Sequence, residues 1–72
     1  MDVYNRLKEI RLQKALTQEA LADKVGVTRQ TIIAVEKAKF VPSVKLALEL
    51  ASALDIALEG LFWLEDNKGG KP

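Results

Sequence analysis

The chain has 72 residues and a formal net charge of +1, with no cysteine, no histidine and one methionine. That length gives one small domain, which buries only about 60% of the surface its unfolded form exposes. The composition excludes a disulfide framework and a thiolate or imidazole metal site. No stretch approaches the roughly 20 apolar residues of a membrane span, and nothing resembles a signal peptide. A soluble, cytoplasmic protein is expected, with no membrane partner. Without a glycine-rich phosphate loop or paired carboxylates in an evident pocket, neither an enzyme nor a cofactor is expected, and no small-molecule ligand is evident.

The small net charge hides an asymmetry. Residues 24–45 carry Lys24, Arg29, Lys37, Lys39 and Lys45 against Glu36 alone. Residues 49–66 carry Glu49, Asp55, Glu59, Glu65 and Asp66 with no basic residue. A basic middle and an acidic C-terminal third suggest an anionic partner met by one end.

Taken in chain order, the apolar spacing is helical throughout. Val3, Leu7, Ile10 and Lys14 predict a first helix starting at Asp2 or at Asn5, since both residues are good N-caps. Thr17 caps a second helix, with Leu21, Ala22 and Val25 facing inward and Gly26 ending it. Thr28 caps a third, and Val27 before the cap can staple onto Ile32. Pro42 pushes Val41 out of helical geometry. Ser43 then caps a fourth helix to about Leu54, and a short fifth runs from about Leu58 to Trp63. Residues 1–66 form the domain, and the tail 67–72 has no periodicity and is expected to be disordered.

The second and third helices carry the functional signal. On a wheel of 100° per residue, Thr28, Ile32, Val35 and Glu36 share one side of the third helix. Gln30, Ile33, Ala34 and Lys37 share the other, with Arg29 on the flank. Two short helices joined through Gly26 and Val27, crossing at the small Ala22, satisfy the helix-turn-helix pattern over residues 18–37. An isoleucine at 33 among polar neighbours fits a surface that something touches.

LTQEALADKVGVTRQTI, followed by a Glu and then PS, resembles the phage repressor/Cro-type (Xre) helix-turn-helix family over about residues 5–64. It is similar to the very small single-domain bacterial and archaeal members that end in a motif like LFWLE, here Leu61 to Glu65. The resemblance implies an all-α, five-helix lambda-repressor-like domain that binds double-stranded operator DNA as a homodimer and regulates transcription as a repressor. It implies base contacts from Arg29, Gln30, Ile33 and Ala34. Phosphate contacts would come from Gln18, Thr28, Thr31, Lys37 and Lys39. It also implies a buried structural ion pair between Arg11 and Glu36.

The chain departs from the family's usual glycine at Ala15, Ala38 and Asp55, each just past a helix end. A side chain there costs up to about 1 kcal/mol if the backbone is left-handed. Leu61, Phe62, Trp63 and Leu64 form an apolar cluster larger than one short helix can bury, and such a cluster marks an interface. It is the expected two-fold contact, and residues 62–64 can also extend as a short strand against Met1–Tyr4, adding a terminal β-ribbon. The alternative function is a helix-turn-helix-derived module that acts on a partner protein, a larger regulator or a toxin, which salt-dependent retention on heparin would discriminate.

Overall fold

Thr17, Thr28 and Ser43 each accept a hydrogen bond from the backbone N–H three residues on, at 3.0, 3.3 and 3.1 Å. Each therefore satisfies a donor that a helix start leaves without a partner. The three helices they open are α2 (Gln18–Val25), α3 (Arg29–Glu36) and α4 (Val44–Ala53) in the computed structural model, which describes residues 1–66. Before them come strand β1 (Asp2–Asn5) and helix α1 (Leu7–Gln13), and after them helix α5 (Leu58–Leu61) and strand β2 (Phe62–Glu65). The expected disordered tail, 67–72, lies outside the described residues.

Four of the helices stop in the same way. The N–H of Leu16, Val27, Lys39 and Ile56 returns to the carbonyl five residues back, of Arg11, Ala22, Ala34 and Ala51, at 2.9–3.1 Å. This is the Schellman closure, and it puts the preceding residue in the left-handed region. Those residues are Ala15 (φ +58°), Gly26 (φ +75°), Ala38 (φ +59°) and Asp55 (φ +55°). Only Gly26 adopts that backbone without strain, so the other three positions hold a small local cost that a glycine would remove.

The core gathers one face from each helix. Leu7 and Ile10 of α1, Leu21 and Ala22 of α2, Ile32 and Val35 of α3, and Leu46, Leu50 and Ala51 of α4 are buried together with Leu54 and Leu61. Burying each large member contributes about 1.5–3 kcal/mol. Ala22 sits in this cluster where α2 packs on both α3 and α4. On α4, Ala51 is buried, whereas Val44 and Leu48 are exposed.

At the chain ends the expected terminal ribbon forms, in place of the helical reading of the same residues. Asp2–Asn5 is a strand rather than the first turn of a helix, and it pairs antiparallel with β2 in the register Val3↔Leu64, Tyr4↔Trp63 and Asn5↔Phe62. Neither Asp2 nor Asn5 is the N-cap residue of α1. That place falls to Arg6, whose side chain makes no capping bond, while Asn5 Oδ1 accepts from the Leu7 N–H at 2.9 Å. Lys14 is the C-cap and lies outside the helix. α5 stops at Leu61 rather than Trp63, because the extended backbone of Phe62 (φ −127°, ψ 142°) opens β2. A four-residue helix gains little on its own, and pairing with β1 satisfies more backbone groups than another helical turn would.

Candidate nucleic-acid interface

Helix α3 carries two unlike faces. Ile32 and Val35 are fully buried. Arg29 and Gln30 in the first turn are exposed, and Ile33, Ala34 and Thr31 are half-buried. Thr28, which the wheel put on the inward side, is exposed because as N-cap it stands outside the helix. Its hydroxyl accepts from the Thr31 N–H and lies 3.2 Å from the Thr31 hydroxyl. Lys37 caps the other end, and both it and Lys39 project into solvent. The helix thus presents a guanidinium, a carboxamide and two small apolar groups, flanked by hydroxyls and ammonium groups.

Beneath that surface, a charged network holds α3 in place. Arg11 Nε donates to Glu36 Oε2 at 2.6 Å, with the two side chains only 7% and 5% exposed. Arg11 Nη1 donates to the Leu16 carbonyl at 2.7 Å, and Arg11 Nη2 to Glu36 Oε1 at 3.4 Å. Gln18 Nε2 also donates to Glu36 Oε1, at 3.1 Å. One carboxylate at the end of α3 therefore binds α1 and the first residue of α2, and Arg11 adds the α1–α2 loop. No buried side-chain polar atom among the described residues lacks a partner. The bond from Gln18 to Glu36 is not foreseen in the sequence, where the resemblance implies only a phosphate contact for Gln18. Glu36 takes one of the two N–H donors of the Gln18 amide, which fixes the side chain at the start of α2 and leaves its second donor uncommitted to Glu36.

Of the four apolar residues expected at a two-fold contact, Leu61 is fully buried in the chain's own core and is no surface residue. Phe62 and Trp63 are half-buried, and Leu64 is 63% exposed. The Arg6 guanidinium lies 5.2 Å from the centre of the Trp63 ring, and Trp63 Nε1 donates to Glu65 Oε2 at 2.9 Å. Phe62 and Leu64 sit with Val3 on the other face of the ribbon. There they line an apolar groove of about 450 Å³ with Val41, Val44 and Leu58, which Trp63 also borders. Val44 is 74% exposed. None of the residues expected to touch DNA lines that groove.

Comparison with known proteins agrees with this geometry. The family model described as helix-turn-helix matches residues 7–61. An HTH-type transcriptional regulator of Methanocaldococcus jannaschii is 50% identical over 64 residues, covering 89% of this chain and 97% of the relative. One from Bacillus subtilis, YgzD, is 47% identical over 62 residues, covering 86% and 94%. Both are themselves uncharacterized. Among solved structures, the restriction-modification controller protein C.AhdI from Aeromonas hydrophila superposes with a TM-score of 0.71 at 39% identity. That match covers 75% of this chain and 78% of that one. By the extent of these matches and by its two crossed helices, the chain belongs to the Cro/C1-type helix-turn-helix family.

Proposed function

We propose that the protein is a sequence-specific double-stranded DNA-binding transcriptional regulator that acts in the cytoplasm, a repressor that binds a pseudo-palindromic operator as a homodimer. The outward face of α3 carries this reading: Arg29 and Gln30 exposed beside half-buried Ile33 and Ala34, over a fully buried Ile32–Val35 seam. An α-helix fits the major groove, where these side chains find complementary edges: guanine for Arg29, adenine for Gln30, and a thymine methyl for Ile33 and Ala34. Thr28, Thr31, Lys37, Lys39 and the start of α2 at Gln18 serve the sugar-phosphate backbone, which positions the helix without reading sequence. The likeness to a controller protein, C.AhdI, and to relatives named as transcriptional regulators supports the regulatory role.

A single short helix reads few base pairs, so specificity comes from two half-sites about one helical turn apart. The second copy meets the groove formed by Val3, Phe62, Leu64 and Val44. Its exposed aliphatic groups gain from burial, and its lining leaves the α3 face unobstructed. Titration of duplex DNA at several salt concentrations tests the reading. Affinity is expected to fall with a log–log slope near −0.9 for each phosphate neutralised. A salt-independent affinity, or equal binding to one isolated half-site and to a paired site, would contradict it.

A further inference from the structure

Asn5, the last residue of β1, reaches across the fold to the recognition helix. Its Nδ2 donates to the Val35 carbonyl in the last turn of α3 at 3.1 Å, and its Oδ1 accepts the Leu7 N–H at 2.9 Å. The same residue pairs with Phe62 in the ribbon, and the neighbouring Arg6 N–H donates to the Leu61 carbonyl at 3.1 Å. One carboxamide therefore joins the ribbon, the start of α1 and the end of α3. Both of its functional groups are used, one as donor and one as acceptor, a geometry that only a planar amide of this length supplies.

We propose that Asn5 is a positioning residue that fixes the angle of the recognition helix relative to the β1–β2 ribbon. Where the ribbon is the contact between two copies, it thereby sets the separation of the two reading heads. The latter part rests on the DNA-binding and homodimer reading above. The bond to Val35 lies on the buried side of α3, so Asn5 touches no base. Its effect on sequence reading passes through helix orientation.

Asn5→Asp isolates this role. The carboxylate keeps an oxygen for the Leu7 N–H but loses the donor and sets an anionic oxygen against the Val35 carbonyl. The chain has no cysteine, so Gln30→Cys and Glu65→Cys, both at exposed positions, place two spin labels, one on α3 and one on β2. Dilution with unlabelled chain restricts the dipolar measurement to pairs within one molecule. A narrow distance distribution is expected for the parent and a broadened or shifted one for Asn5→Asp, with unchanged far-UV circular dichroism. Asn5→Ser, neutral and too short to reach, is expected to broaden it likewise. Distributions that stay narrow in both variants overturn the proposal. Unfolding of both also overturns it, making Asn5 a folding residue only.

In DNA competition, the parent's preference for its optimal half-site spacing over one displaced by a base pair is expected to fall about three- to tenfold in Asn5→Asp, the effect of one hydrogen bond. A uniform loss of affinity at every spacing overturns the coupling. A parent chain that binds no duplex DNA contradicts the DNA reading instead, and the distance distributions then decide the role of Asn5 alone.

Discussion

Glu36→Leu is the sharpest test of what holds the recognition helix. The substitution removes both oxygens to which Arg11 Nε and Nη2 and Gln18 Nε2 donate, leaving Arg11 with the Leu16 carbonyl as its remaining partner. Breaking a buried pair by removing one partner costs about 3–5 kcal/mol, because the other charge stays desolvated. A domain of this size has only about 4–11 kcal/mol in total, so the variant sits near its unfolding threshold. Replacing both members, Arg11→Met with Glu36→Leu, removes the stranded charge and is expected to cost about 1–3 kcal/mol, mostly for the Leu16 carbonyl and the Gln18 amide left without partners. The double loss is therefore far below the sum of the single ones. Urea unfolding followed by Trp63 fluorescence and far-UV circular dichroism measures all three. With a slope of roughly 1 kcal/mol/M for a small domain, the single variant's midpoint moves down by about 3–5 M. Additive losses, or a single-variant loss below about 1 kcal/mol, would refute the reasoning and make the pair two charges that merely lie close together.

Ala15→Gly and Ala38→Gly relieve left-handed backbone at φ +58° and +59°; each is expected to raise stability by several tenths to about 1 kcal/mol in the same urea assay. Asp55→Gly is expected to gain less, since Asp tolerates that region better than Ala. Within the groove, Gln30→Ala and Arg29→Ala are each expected to lose about 1–3 kcal/mol at one base pair and relax the preference there, whereas Lys39→Ala weakens all sequences alike. Leu64→Lys is expected to lower the dimer fraction in sedimentation equilibrium while far-UV circular dichroism stays unchanged; a fully dimeric variant would move the two-fold contact elsewhere.

The middle of this fold is legible in its sequence because its signals are local. Thr17, Thr28 and Ser43 announce helix starts within one turn of the groups they cap, and the buried seam follows from Leu21, Ile32 and Val35 at helical spacing. The chain ends are legible only in part: the expected ribbon of residues 62–64 against Met1–Tyr4 forms, but the same N-terminal residues also offer a helical reading. Asp2 and Asn5 look like helix caps until Phe62–Glu65 lies beside them, and that partner is distant in sequence. A four-residue strand carries little alternation and its ladder exists only when both strands are present, so the sequence offers the ribbon beside a helical reading without choosing between them. Leu61 resembles its neighbours Phe62 and Leu64 in composition, and only the end of α5 shows that it turns inward. The bond from Asn5 to the Val35 carbonyl leaves no sequence signature, because every residue has a carbonyl. The Gln18–Glu36 bond is hidden for another reason: it joins residues 18 apart in sequence, which no local pattern connects.

The most direct test of DNA reading by α3 is selection of bound fragments from random duplex DNA, run in parallel with the parent chain and Gln30→Ala. The expected outcome is an enriched pseudo-palindrome whose half-site centres lie about 10–10.5 base pairs apart. For Gln30→Ala, preference is expected to be lost at one symmetric position in each half-site. No enrichment with the parent chain, or the same motif with both proteins, would contradict the assignment of the exposed face of α3 to the major groove.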